Sequence, residues 1–116
     1  MGRAQDRGKL AEQLAADYLA YEGIEVVDRN VRIGGVEIDL LAREGAAWLL
    51  VEVKARGRTD YGGAGAAIDR VIRERLLRAA RALQRQGCAD VRIDVVTVEP
   101  GGPGLRMQHV RNAVTE

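Results

Sequence analysis

The stretch that decides the fold is residues 36–54, which read VEIDLLAREGAAWLLVEVK. On each side of Gly45, apolar residues alternate with polar ones, and this period of two predicts two β-strands, each with one apolar face. Gly45 and Ala46 fit a two-residue hairpin turn of type II′, which prefers glycine first. The alternation predicts one face with Val36, Ile38 and Leu40 in the first strand and Leu49, Val51 and Val53 in the second, and an opposite face with Glu37, Asp39, Glu52 and Lys54.

This hairpin places two carboxylates side by side. With a turn at Gly45, Asp39 lies opposite Glu52, and Glu37 lies opposite Lys54. A slip of one residue would send the acids of one strand to the opposite face from those of the other, so the apolar pattern favours this register. Two like charges directly opposed across a sheet are destabilising.

A hard divalent cation relieves such a repulsion, because Mg²⁺ takes one or two carboxylates and completes its shell with water and phosphate oxygens. A bound Mg²⁺ or Mn²⁺ activates water and stabilises the charge that develops during phosphodiester hydrolysis. Lys54, on the same face, can hold the attacking water or the developing negative charge. The pattern alone leaves a second interpretation open, in which these residues form the solvated face of a sheet with cross-strand ion pairs.

The rest of the chain predicts two helices and two further strands around this hairpin. Gly23 and Gly87 are expected to end the helices. Gly34-Gly35 reads as a turn or bulge. The predicted order is a helix over about residues 7–21, strands over 24–29, 36–43 and 48–56, a helix over 66–86, a strand over 91–98, then a loop at 100–104 and a short tail. This order indicates an α/β or α+β layer with a central sheet covered by helices.

Length and composition bound the class of protein. The 116 residues fit one domain, spanning 1–116, and 47% of them are hydrophobic. Cys88 is the single cysteine, which excludes an internal disulfide framework. No apolar run approaches the roughly 20 residues of a membrane span, and the N-terminus lacks the apolar core of a signal peptide. We therefore expect a cytoplasmic protein with no membrane association.

The charge is distributed unevenly although the formal net charge is only +1. Residues 70–85 carry six arginines against one acid, Glu74. On a helical wheel, Arg70, Arg78, Arg81 and Arg85 fall on one side, opposite Ile72, Leu76, Ala79 and Leu83. The arginine side is either a track for nucleic-acid phosphates or an ordinary solvated face.

Four further polar or aromatic residues lie outside these patterns. Arg56, Arg58 and Tyr61 follow Lys54 in a glycine-rich segment that either approaches a nucleic-acid backbone or simply connects a strand to a helix. His109 has no partnered ligands in the sequence, so a structural or surface role is expected for it.

The arrangement of Asp39, Glu52 and Lys54 resembles that of the PD-(D/E)XK nuclease superfamily. Over nearly its whole length the chain also resembles the YraN family of small bacterial proteins, which are similar to Holliday junction resolvases. The segments that carry the likeness are Glu12 with residues 15–19, residues 29–32, 37–41 and 51–56, Tyr61-Gly62, residues 92–96, His109 and Asn112-Ala113.

The resemblance implies a restriction-endonuclease-like αβββαβ core with a central mixed sheet flanked by helices. In it Asp39 and Glu52 would bind the metal together with the Val53 carbonyl, and Lys54 would be the catalytic lysine. Glu12 on the first helix would match an additional acid near the metal. The chain departs from the family at Val36 and Ala11, where glycines are usual, and it lacks the lysine expected early in the second helix.

Together these observations predict a Mg²⁺- or Mn²⁺-dependent DNA endonuclease, with branched DNA as a candidate substrate. A homodimer is plausible, because two-fold symmetric junctions suit a two-fold enzyme. One alternative is a nucleic-acid-binding module that keeps the nuclease fold without effective catalysis. A further alternative is a structural or interaction protein whose acidic face is only a solvated sheet.

Overall fold

The computed structural model of the protein describes residues 3–56 and 68–115, with side chains from Gly8 onward. Within these residues, two helices and five strands follow one another along the chain. They are α1 (Arg3–Tyr21), β1 (Glu25–Ile33), β2 (Val36–Glu44), β3 (Ala47–Ala55), α2 (Arg70–Arg85), β4 (Val91–Gly101) and β5 (Gly104–Val110).

The strands form a mixed sheet in the order β1-β2-β3-β4-β5. All neighbours are antiparallel except β3 and β4, which are parallel. A parallel pair needs a crossover, and α2 lies between these two strands in the chain. The predicted α/β class, with an αβββαβ core and a mixed central sheet, is confirmed.

The two helices cover opposite faces of the sheet and build two apolar cores. Because β3 is central, it is buried on both faces: Leu49 and Val51 face α1, whereas Leu50 faces α2. The α1 core also includes Ala15, Ala16, Leu19, Leu40 and Val96, and the α2 core also includes Val36, Ile38, Leu76, Ala79, Leu83 and Ile93.

The central hairpin forms in the predicted register, but the predicted pairs Asp39–Glu52 and Glu37–Lys54 lie beyond the end of its ladder. Leu40 pairs with Val51, and the ladder continues in this register to Glu44 and Ala47. Gly45 has a φ of 61°, and Ala46 is not among the described residues with positive φ, as a type II′ turn requires. The β1–β2 hairpin turns at Gly34-Gly35, between the paired residues Ile33 and Val36.

The prediction that Leu40 shares a face with Val36 and Ile38 is wrong. Val36 and Ile38 pack in the α2 core, whereas Leu40 packs in the α1 core. The change occurs at the same place in both β1 and β2. The side chains of the pair Arg29–Leu40 point to α1, whereas those of the pair Val31–Ile38, two residues away, point to α2. Between those pairs Asn30 has a φ of 50°, and this backbone conformation interrupts the regular alternation.

The C-terminal strand β5 was not predicted. Pro100 and three glycines read as a loop over residues 100–104, but the chain turns at Gly102-Pro103 between the paired residues Gly101 and Gly104. Beyond Val98, β4 has only β5 as a neighbour, so a proline without an N–H group is tolerated there.

Some element ends also differ from the prediction. β1 extends to Ile33 rather than ending at Arg29, and α1 begins at Arg3 rather than near Arg7. Helix α2 begins at Arg70 rather than Ala66, because the carboxylate of Asp69 accepts the N–H of Ile72 at 2.9 Å and caps the helix.

Candidate active site

The candidate active site lies where the β2–β3 ladder ends. The last antiparallel pair is Leu40–Val51, although β3 continues beside β4 as far as Ala55. In place of a β2 carbonyl, the Asp39 side chain accepts the N–H of Val53 through Oδ2 at 2.8 Å. The ladder therefore opens at Asp39, and its carboxylate turns towards β3.

Glu52 contacts Asp39, as the hairpin register predicts. Burial raises the pKa of Glu52 to about 8, with further contributions from its hydrogen bond to Asp39 and from the Asp39 charge. Lys54 and Arg75 lower the pKa only in part. The Glu52 side chain is 16% exposed, and its Oε2 lies 3.8 Å from Lys54 Nζ. Without a cation, burial and the neighbouring Asp39 therefore favour the protonated form of the Glu52 carboxyl group.

The donor set fits a hard divalent cation. A cation that binds two adjacent carboxylates removes their repulsion and displaces the proton from Glu52. Among the described residues, no group of three or more His, Cys, Asp or Glu side chains could hold a metal. Asp39 and Glu52 therefore offer two carboxylates, and water, carbonyl or phosphate oxygens would have to complete the shell of any cation bound there.

Thr97 in β4 carries a buried hydroxyl that was not identified from the sequence. It is opposite Lys54 in the β3–β4 ladder and is completely buried. Its Oγ1 is the one buried side-chain polar atom among the described residues that has no hydrogen-bond partner. A buried hydroxyl without a partner costs stability, and this one lies next to Lys54 in the sheet.

We expect Thr97→Val to raise the free energy of unfolding by about 1–3 kcal/mol, the usual cost of an unsatisfied buried polar group. Valine has the same shape and carries no polar atom. Urea unfolding measures the change, with Thr97→Ser as the control that keeps the hydroxyl. A loss of stability in the valine variant would contradict the expectation.

Glu12, predicted as an additional acid, is half-buried on α1. Its Oε1 accepts Nδ2 of Asn30 at 3.2 Å. Burial raises the pKa of Glu12, the hydrogen bond from Asn30 lowers it, and the charges of Asp39 and Glu37 raise it further. Glu12 therefore faces the acidic strand residues rather than bulk solvent alone, and its role as a metal ligand stays a prediction.

The arginines of α2 lie outside the acidic pair, along the exposed side of the helix. Arg70 is 91% exposed and lies 3.7 Å from Glu74, one turn further along. Arg78, Arg81 and Arg85 line an open groove of about 560 Å³ together with Arg73, Glu74 and Leu77. We call this surface, including Arg70, the α2 arginine groove.

Arg75, rather than Arg70 or Arg73, is the arginine whose charge acts on Glu52. Arg75 was not singled out from the sequence. A helical wheel of α2 could have predicted this contact, because Arg75 lies next to the apolar side of the helix, which faces the sheet.

The remaining predicted nucleic-acid contacts follow Lys54. The backbone N–H of Arg56 donates to the Val98 carbonyl at 2.9 Å. Its side chain lines a groove of about 340 Å³ with Leu10, Leu14 and Leu105 among its other walls. Arg58 and Tyr61 lie outside the described residues.

A second polar cluster lies under α1 and has a structural role. Asp94 is completely buried and accepts hydrogen bonds from Arg92 at 2.8 and 3.0 Å, from the Asn112 N–H at 2.9 Å, and from His109 Nε2 at 2.8 Å. His109 Nδ1 lies 3.3 Å from the Tyr18 hydroxyl. The cluster thus ties β4, β5 and α1 together, which agrees with the structural role expected for His109.

The fold and the site define a class: small mixed α/β proteins with two carboxylates and a lysine at an open strand end. The chain belongs to the uncharacterised protein family UPF0102, whose family model matches residues 11–98. That range contains Glu12, Asp39, Glu52 and Lys54. The resemblance to the YraN family is thereby confirmed.

Relatives from several bacteria share most of the chain. It is 40% identical over 109 residues to UPF0102 protein MCA0184 of Methylococcus capsulatus, covering 92% of this chain and 89% of the relative. It is 41% identical over 109 residues to a UPF0102 protein of Dechloromonas aromatica, with 92% and 87% covered. For UPF0102 protein STH1475 of Symbiobacterium thermophilum the identity is 42% over 110 residues, with 91% and 93% covered.

Among solved structures, SfsA of Pyrococcus furiosus, determined in complex with Ca²⁺, aligns with a TM-score of 0.37 and 15% identity. The alignment covers 97% of this chain and 65% of that one. In the part of the chain that the structure describes, neither helix is long and apolar enough to cross a membrane.

Proposed function

We propose that this protein is a Mg²⁺- or Mn²⁺-dependent DNA endonuclease that hydrolyses phosphodiester bonds, with branched DNA as its preferred substrate. The observation that supports the proposal is the half-buried Asp39–Glu52 pair beside Lys54, at a point where the β2–β3 ladder opens. Folding alone does not favour two adjacent half-buried carboxylates, because their mutual repulsion and partial desolvation oppose it.

Asp39 and Glu52 offer carboxylate oxygens to a cation. The Val53 carbonyl, next to Glu52 in β3, is a third candidate ligand. A cation bound there would supply an activated water and neutralise charge on the phosphate. Lys54 would hold the attacking water or a phosphate oxygen through its ammonium group. In hydrolysis the water oxygen bonds to phosphorus, one P–O ester bond breaks, and the departing oxygen takes up a proton.

The α2 arginine groove supports nucleic acid as the substrate. Guanidinium groups bind phosphates in bidentate geometry, and a line of them recognises a backbone without reading its sequence. Arg56, Arg58 and Tyr61 follow the site in the chain and are candidates for further contacts. Binding through these residues should weaken steeply as salt increases. A homodimer on two-fold symmetric DNA remains part of the proposal.

The test is cleavage of labelled duplex, single-stranded and four-way-junction DNA with Mn²⁺, with and without chelator. We expect chelator-sensitive cutting, strongest on the junction, and its loss in Asp39→Ala. Glu22→Ala, which removes an exposed acid at the end of α1, is the matched control and should cut like wild type. Cutting that survives both chelator and Asp39→Ala would refute the proposal.

A second candidate function is nucleic-acid binding without turnover. It is favoured by the α2 arginine groove, whose lining residues do not include the acidic pair, so phosphate binding there does not depend on catalysis. Salt-sensitive binding of all three DNAs without cleavage, unchanged in Asp39→Ala, would support this alternative.

A further inference from the structure

Asn30 adopts a backbone conformation that non-glycine residues rarely adopt. Its φ is 50°, and among the described residues only Asn112, with a φ of 52°, is another non-glycine residue with positive φ. Asparagine is one of the few L-residues that tolerate this left-handed region. Such strain persists only where the surrounding structure holds it, and it is concentrated at functional sites.

The position of Asn30 connects this strain to the candidate site. The pairs Arg29–Leu40 and Val31–Ile38 lie on either side, so the register places Asn30 across from Asp39. At this point the regular alternation of side chains is interrupted in both strands, so that Leu40 packs on the α1 side and Ile38 on the α2 side. On its other side, the Asp39 carboxylate accepts the N–H of Val53. The distorted backbone of β1 thus lies next to the residue that leaves the ladder.

The side chain of Asn30 makes a second link, to Glu12. Its Nδ2 donates to Glu12 Oε1 at 3.2 Å, although the negative charges of Asp39 and Glu37 act against an ionised Glu12. The residue before Asn30, Arg29, makes a similar contact: its Nη1 donates a hydrogen bond to Gln13 Oε1 at 2.7 Å. Arg29 and Asn30 of β1 therefore bind Gln13 and Glu12 of α1. Because the Asn30 amide is neutral, it restrains Glu12 without cancelling its charge.

We propose that Asn30 is a positioning residue of the acidic site. Its left-handed backbone lets Asp39 leave the ladder, and its amide holds Glu12 towards Asp39, where the Glu12 carboxylate adds to the attraction for a cation. This inference rests on the proposed function, because it assigns Asn30 to the same metal site.

The test measures Mn²⁺ affinity calorimetrically in the absence of DNA. Asn30→Gly keeps the backbone freedom and removes the amide, and we expect roughly ten-fold weaker binding, as for other residues that orient metal ligands. Asn30→Ala also penalises the positive φ and should bind more weakly still. Asn112→Gly is the matched control at the other left-handed asparagine and should bind Mn²⁺ like wild type.

A double-mutant cycle shows whether Asn30 acts through Glu12. If it does, adding Asn30→Gly to Glu12→Gln changes Mn²⁺ affinity little beyond Glu12→Gln alone. Wild-type affinity in Asn30→Gly would overturn the inference, and so would absence of Mn²⁺ binding in the wild type. Mn²⁺ binding without DNA cleavage would instead contradict the endonuclease, and the relative affinities would still decide the role of Asn30.

Discussion

Glu52→Gln is expected to make the metal-free protein more stable at pH 9 and to abolish Mn²⁺-dependent DNA cleavage. The pKa of Glu52 is about 8 in the folded protein, against an ordinary value of 4.5. Between these two values the folded state binds a proton that the unfolded state has released. The free energy of unfolding therefore falls as pH rises, by at most about 1.4 kcal/mol per pH unit, and stays low above pH 8.

Glutamine resembles the protonated carboxyl group, so the variant should not lose this stability as pH rises. Urea unfolding with chelator at pH 5 and pH 9 measures the effect: wild type and variant should be similar at pH 5 and differ at pH 9. Mn²⁺ should restore the stability of the wild type but not of the variant, because a ligand stabilises only the folded state that binds it.

The exposed Glu22, replaced by glutamine, is the control for this comparison and should leave both cleavage and the pH dependence of stability unchanged. A gain in stability together with a loss of activity is the pattern expected of a functional residue that opposes folding. If Glu52→Gln instead lost stability at pH 9, the Glu52 carboxylate would be a structural partner of Lys54 and Arg75.

Asp94→Asn is expected to lower the free energy of unfolding by about 3–5 kcal/mol at pH 7, the usual cost of removing one partner from a buried ion pair. The substitution turns one acceptor oxygen into a donor that faces other donors. It also removes the Asp94 charge from Arg92, whose other carboxylate partner is Glu44. Urea unfolding measures the loss. Arg111→Gln is the matched control: Arg111 belongs to an exposed ion pair with Glu44, so its loss should cost at most about 1 kcal/mol.

The same carboxylate should govern stability in acid. Burial raises the pKa of Asp94, but hydrogen bonds from His109, Arg92 and the Asn112 backbone outweigh it and hold the pKa at about 2. A lowered pKa contributes stability that is present above the ordinary value of 3.8 and is lost as pH falls towards 2. The difference in the free energy of unfolding between wild type and Asp94→Asn should therefore narrow as pH falls over this range. A difference that stays constant would contradict the lowered pKa of Asp94.

The sequence by itself determined the central hairpin and its register. The apolar alternation in β2 and β3 and the glycine-first turn are local signals, and they specify the register that brings Asp39, Glu52 and Lys54 together. The ends of both helices at Gly23 and Gly87 were predicted for the same reason. Each of these glycines has a positive φ, which a residue without Cβ adopts at little cost.

Only the tertiary structure decided which face Leu40 covers, which arginine acts on Glu52, and that Thr97 lies unpaired opposite Lys54. These features depend on contacts between elements far apart in the chain, and no local period encodes them. The change of face at Asn30 illustrates the reason. Period-two patterns assume a regular backbone, whereas one left-handed residue in a neighbouring strand redirects the side chains opposite it.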